Sequence, residues 1–197
     1  MITNTKQFKE WAVINAQSQY QSIGRHYFCR IFFILKIIYM SLQVGQAAPD
    51  FTLFDTAKQP VALSSYKGQP VVILFFPLAF TSVCTAELCS VRDNIALFNK
   101  VNAQVVGISV DSLFTLAKFR EEQQLNFPLL SDFNKEVSNA YGAIYEKFGF
   151  GMLGVSKRAA FVVDKSGNIA YAEVLENAGE QPSFEGIHAC LNSLSAS

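Results

Sequence analysis

The sequence is short of the residues that hold metals. It has two histidines, His26 and His188, and four cysteines, Cys29, Cys84, Cys89 and Cys190. A structural zinc site takes four Cys or His ligands at characteristic spacings, and no such spacing is present. There is no glycine-rich phosphate loop and no flavin or haem motif either, so no metal and no cofactor are expected. Excess charge of one sign is also missing. Sixteen basic residues meet sixteen acidic ones, for a net charge of zero. That removes the electrostatic footprint of a nucleic-acid or anionic-membrane partner and suits a small neutral substrate. Internal repeats and low-complexity linkers are absent.

A long uncharged apolar run is the last absence. The stretch Tyr27–Met40 is interrupted by Arg30 and Lys36, and it falls short of the ~20 apolar residues a spanning helix needs. It also lacks the unbroken apolar centre and small-residue cleavage site of a signal peptide. Residues 1–40 therefore read as a leader outside the folded domain. We expect translation to start at Met40, with a membrane-associating anchor as the alternative. Residues 41–197 are expected to form one domain, located in the cytoplasm. Hydrophobic residues make up 50% of the chain, with 18 Phe, which is ample core material.

The domain reads as α/β. Phe51–Phe54 and Pro60–Leu63 form an N-terminal β-hairpin. Val71-Val-Ile-Leu-Phe-Phe76 is an unbroken apolar run with β-branched and aromatic residues, as in a strand buried on both faces. Val105–Val110 is a second such strand. Asp111 or Ser112 caps a helix running to about Gln124, and Asn134–Tyr141 is a short helix. Ala143–Ser156, rich in glycine and large apolar residues, reads as a loop, either packed on its own protein or forming a hydrophobic collar. Ala159–Val163 and Ile169–Leu175 make a late hairpin, and Pro182 opens the last helix, where Cys190 reads as core. Alternating strands and helices with hairpins at both ends predict a central mixed sheet with helices on both faces.

The chemistry concentrates between Pro77 and Cys89. Pro77 lacks an N–H and stops the strand ladder. From Thr85 the period changes, and Leu88, Val91, Ile95 and Phe98 recur at helical steps to about Asn102. Cys84 thus falls in the first turn of a helix. Free N–H groups and the helix dipole there favour a thiolate. The Thr81 hydroxyl can donate to the sulfur or to a bound oxygen. Glu87, one turn along, can hold a distant cation over the site or simply complement the dipole as an exposed acid.

Pro77, Thr81 and Cys84 together form Pro-x-x-x-Thr-x-x-Cys, which resembles the active-site motif of the peroxiredoxins. The wording Phe-Phe-Pro-Leu-Ala-Phe-Thr, with Phe127–Asp132 and Ala140-Tyr-Gly142, is similar to the AhpE-type group, and the resemblance runs from about Leu42 to Leu194. It implies a thioredoxin-like fold and a thiol peroxidase for hydrogen peroxide and alkyl hydroperoxides. It implies Cys84 as the attacking sulfur and Pro77 as its shield. Arg158, in Lys157-Arg-Ala-Ala-Phe-Val-Val-Asp164, would be the arginine that stabilises the thiolate, with Glu87 as its support. A thiol reductant such as thioredoxin and a homodimer are also implied, the latter through loops around the site.

Cys89 departs from that group. A second cysteine five positions on is similar to the bacterioferritin-comigratory (PrxQ) group, where it is the resolving residue. On an intact helix two residues five apart lie about 8.7 Å apart at Cα, whereas a disulfide needs about 4.4–6.8 Å. Pairing therefore requires the first turns of the helix to unwind. The other reading of Cys89 is a small apolar residue on the inner helix face. Two further functions stay open at this point. One is thiol–disulfide exchange, against which the x4 spacing argues; the other is a redox sensor or holdase that engages a partner on unwinding.

Overall fold

The structure is a computed structural model that describes residues 42–196; the leader, with His26 and Cys29, lies outside the described residues. Seven strands form one mixed sheet: β1 (Thr52–Asp55), β2 (Pro60–Ala62), β3 (Val71–Phe75), β4 (Gln104–Ser109), β5 (Leu129–Ser131), β8 (Arg158–Val163) and β9 (Ile169–Leu175), in the order β2-β1-β5-β4-β3-β8-β9. β3, β4 and β5 are parallel, and the two hairpins β1–β2 and β8–β9 add antiparallel edges. The expected mixed sheet and both hairpins are present.

The apolar run of β3 sits at the centre because both its faces are covered. Val72, Leu74 and Phe76 face a cluster that also holds Leu88, Phe98, Leu116, Phe119, Ile187 and Leu191. These come from helices α1 (Ser82–Asp93), α2 (Ile95–Lys100), α3 (Leu113–Glu122) and α5 (Phe184–Ser195). Val71, Ile73 and Phe75 face a second cluster with Phe161, Val137 and Tyr141, under α4 (Glu136–Ala140). Phe75, Tyr141 and Phe161 interlock here, with ring centroids 5.1–5.9 Å apart. Helices do cover both faces, four on one side and one on the other.

Several local expectations are corrected. The helix expected to run to Asn102 breaks at Asn94, whose side-chain amide donates to the Ser90 carbonyl at 2.9 Å. Such side-chain bonding competes with the helical ladder. The last helix is capped by Ser183, which accepts from the Gly186 N–H at 3.1 Å, so Pro182 precedes the cap rather than opening the helix. Ala143–Ser156 is not simply a loop: β6 (Ile144–Tyr145) pairs antiparallel with β7 (Val155–Ser156) around a 3-10 turn at Gly149–Gly151. Phe150 at its tip is fully exposed and has φ 59°.

Candidate active site

β3 delivers the site. Its ladder extends one residue, Phe76 N–H to the Ile108 carbonyl at 3.0 Å, and ends at buried Pro77. A short loop follows, and Thr81 is the N-cap residue of α1, extended at φ −85°, ψ 149°. The Thr81 carbonyl takes the Thr85 N–H at 2.9 Å, so the Ser82, Val83 and Cys84 N–H groups stand before the first helical bond and lack an intrahelical acceptor. Cys84 is therefore on the first turn, as expected. It is only 1% exposed.

The Thr81 hydroxyl differs from expectation. It donates to the Leu78 carbonyl at 2.9 Å instead of to sulfur. The loop between Pro77 and Thr81 folds back on itself, and the Leu78 carbonyl is the acceptor at hand. With its hydrogen engaged, the Thr81 oxygen is left as an acceptor.

Arg158, the first residue of β8, reaches across to α1 and is 1% exposed. Its Nη2 donates to Cys84 Sγ at 3.3 Å and to the Ala178 carbonyl at 2.9 Å. Its Nη1 pairs with Glu87 Oε2. Glu87 is fully buried, which corrects its reading as an exposed first-turn acid: helical spacing marked it polar, but its partner comes from a strand 71 positions away. Burial raises the Glu87 pKa to about 7, against the pull of the Arg158 charge and hydrogen bond. Burial likewise opposes the Arg158 charge, yet Glu87 and Cys84 hold its pKa above the ordinary guanidinium value. Glu87 Oε1 and Arg158 Nε are buried without a hydrogen-bond partner.

Cys89 lies on the same helix as Cys84. It is half-buried and packs against the cluster beneath α1, with its Sγ 3.6 Å from Gln123 Oε1 at the end of α3. Cys84, Cys89 and Cys190 are all free thiols. Cys190 is half-buried against the same cluster. Among the described residues no group of His, Cys, Asp and Glu is arranged to hold a metal, and no helix among them is long and apolar enough to cross a membrane.

Sequence reasoning missed Asp111. It was one candidate for the α3 cap, but Ser112 holds that place, accepting from the Thr115 N–H at 3.1 Å. Asp111 instead binds the loop ahead of α1.

A guanidinium held against a cysteine at a helix start is chemically equipped to stabilise a thiolate and the charge it passes on. The AhpC/TSA family profile matches residues 44–172. The chain belongs to the AhpC/TSA family. Alkyl hydroperoxide reductase E of Mycobacterium tuberculosis is 42% identical over 136 residues, covering 68% of this chain and 86% of that protein. Chloroplastic peroxiredoxin Q of Oryza sativa subsp. japonica is 37% identical over 136 residues, covering 69% and 61%. Among solved structures, peroxidoxin BcpB from Mycobacterium tuberculosis superposes with a TM-score of 0.66 at 33% identity, covering 79% of this chain and 97% of that one. The protein is thus a peroxiredoxin, a peroxidase with a thioredoxin-like fold. The same two groups resembled by the Pro77–Cys89 stretch, AhpE-type and PrxQ, appear among these relatives.

Proposed function

We propose that this peroxiredoxin reduces hydrogen peroxide and alkyl hydroperoxides at Cys84. The observation that carries the reading is the Arg158 guanidinium, fixed by Glu87 and the Ala178 carbonyl and donating to Cys84 Sγ at 3.3 Å. The thiolate sulfur attacks one peroxide oxygen. An S–O bond forms as the O–O bond breaks, sulfur is oxidised by two electrons, and the departing oxygen leaves as water or an alcohol after taking a proton. Arg158 and the N–H groups of the first turn stabilise the negative charge as it moves from sulfur to oxygen. Thr81, its own hydrogen engaged by Leu78, accepts the hydrogen bond of the incoming hydroperoxide. Pro77 closes the buried side of the pocket.

The sulfenic acid is then resolved by Cys89. The thiol condenses with it to a disulfide and releases water, and a dithiol such as thioredoxin supplies two electrons and two protons to restore both thiols. Support comes from the Cys-x4-Cys spacing and the similarity to peroxiredoxin Q. Both cysteines sit in the intact helix α1, so this step requires its first turns to open. A one-cysteine cycle with an external thiol is favoured instead by the packed position of Cys89 against Gln123. Peptide mass spectrometry after one equivalent of peroxide separates the two: a Cys84–Cys89 bridge supports resolution, and a persistent Cys84 sulfenic acid beside free Cys89 rules it out.

Residues 41–197 as the catalytic domain belong to the same proposal, supported by the compact unit Leu42–Ser197. So does a homodimer, supported by the exposed apolar side chains of Phe150 and Leu153 in the segment that precedes β8 in the chain; light scattering reads its mass. A cytoplasmic location belongs to the same proposal, and cell fractionation tests it.

A further inference from the structure

The loop between β3 and α1 is held from outside, at two adjacent residues. The Ala79 N–H donates to Asp111 Oδ2 at 2.8 Å. Phe80, next in the chain, has φ 64° and sets its ring 5.0 Å from that of Phe119 on α3. A bulky residue in the left-handed region is strained and persists only where its surroundings over-determine it. Thr81, the residue after Phe80, starts the catalytic helix.

Asp111 is itself fixed on three sides. The Ser109 hydroxyl donates to the same Oδ2 at 2.8 Å and accepts from the Asp111 N–H at 3.0 Å. The Ser131 hydroxyl donates to the Asp111 carbonyl at 2.6 Å. Ser109 ends β4 and Ser131 ends β5. The ends of two central strands thus hold Asp111, Ser109 at its Oδ2 and Ser131 at its backbone carbonyl, and the same Oδ2 takes up a single N–H of the loop carrying Leu78 and Thr81. Cys84 is held separately, by α1 and by Arg158.

We propose that Asp111 is a positioning residue for the peroxide pocket: through Ala79 it sets the Leu78–Thr81 turn, and so where the Thr81 oxygen meets the incoming hydroperoxide. This rests on Cys84 as the attacking sulfur. It separates two properties of the site. Reactivity of the sulfur toward any electrophile belongs to Cys84 and Arg158. Preference for peroxide depends also on the turn that Asp111 holds.

The test compares Asp111→Ala and Asp111→Asn in the full chain. Peroxide consumption with dithiothreitol is measured beside alkylation of Cys84 by iodoacetamide, followed by peptide mass spectrometry. Asp111→Ala is expected to lose about 10- to 100-fold in peroxide kcat/KM, the scale of an ångström-size misplacement, while Cys84 alkylation stays within about twofold. Asp111→Asn keeps an oxygen acceptor for both Ala79 and Ser109 and is expected to keep near-wild-type activity, which marks a hydrogen bond rather than a charge. An Asp111→Ala enzyme that keeps its peroxide rate overturns the proposal. So does one that loses peroxide and alkylation rates in equal proportion, or an Asp111→Asn enzyme as slow as Asp111→Ala. Peroxide consumption that survives Cys84→Ser would instead overturn the underlying reading of Cys84.

Discussion

Replacing Arg158 by Met should injure stability and catalysis through two different contacts, and a second substitution should pull the two effects apart. Arg158 is 1% exposed and Glu87 is fully buried. Above about pH 7, where Glu87 is ionised, removing one member of a buried ion pair leaves the other uncompensated, at a cost of about 3–5 kcal/mol. The contact to Cys84 Sγ is a hydrogen bond from a charged donor, worth about 1.5–3 kcal/mol. At 1.36 kcal/mol per tenfold, its loss slows peroxide kcat/KM by about 10- to 150-fold. Adding Glu87→Gln to Arg158→Met removes the orphaned carboxylate but cannot restore the contact to sulfur. The double variant should therefore recover most of the lost stability in urea unfolding and none of the lost peroxide rate. If the rate returns with the stability, Arg158 acts only by holding the fold together, and its assigned role at Cys84 is wrong.

Glu87 also predicts a pH dependence. Its folded pKa, raised by burial to about 7, lies above the ~4.3 of an unfolded chain, so the folded state holds its proton more tightly. That contribution to stability is present below about pH 4.3 and is lost as pH rises toward 7. Glu87→Gln should flatten the stability profile between those values; an unchanged slope in urea midpoints would contradict it. Cys89→Ser should keep dithiothreitol-supported peroxidase activity and lose turnover with thioredoxin, and equal rates with both reductants would remove Cys89 from the cycle. A Cβ at Gly107 would lie 2.7 Å from Leu129 Cδ2 and 3.4 Å from Phe76 Cε1. Gly107→Ala should therefore lose about 1–3 kcal/mol by overpacking, read as a lower thermal midpoint.

The sequence carried the fold where one signal dominated. The apolar run 71–76 had to be a central strand, because nothing shorter than a sheet covered on both faces could bury it. The site was legible in the same way, since strand end, proline and helix start fix Cys84 locally. Glu87 was legible as a candidate and not as a buried one. Its burial depends on Arg158, and no local pattern reports a partner 71 positions away. The break at Asn94 was hidden because Ile95 and Phe98 continue the apolar spacing in phase across it. β5 escaped for want of length, being three residues that owe their extended form to β4 and β1 on either side. The pairing of β6 with β7 was masked by glycines that read as a flexible loop. The hold of Asp111 on Ala79 spans 32 positions, and an aspartate before a helix reads first as a cap.

The central claim is that Cys84, held by Arg158 at the start of α1, is the sulfur that attacks peroxide. Hydrogen peroxide consumption by the full chain with dithiothreitol, wild type beside Cys84→Ser, tests it most directly. The account predicts rapid consumption by the wild type and none above the reductant background in the variant. Equal consumption by both would contradict it.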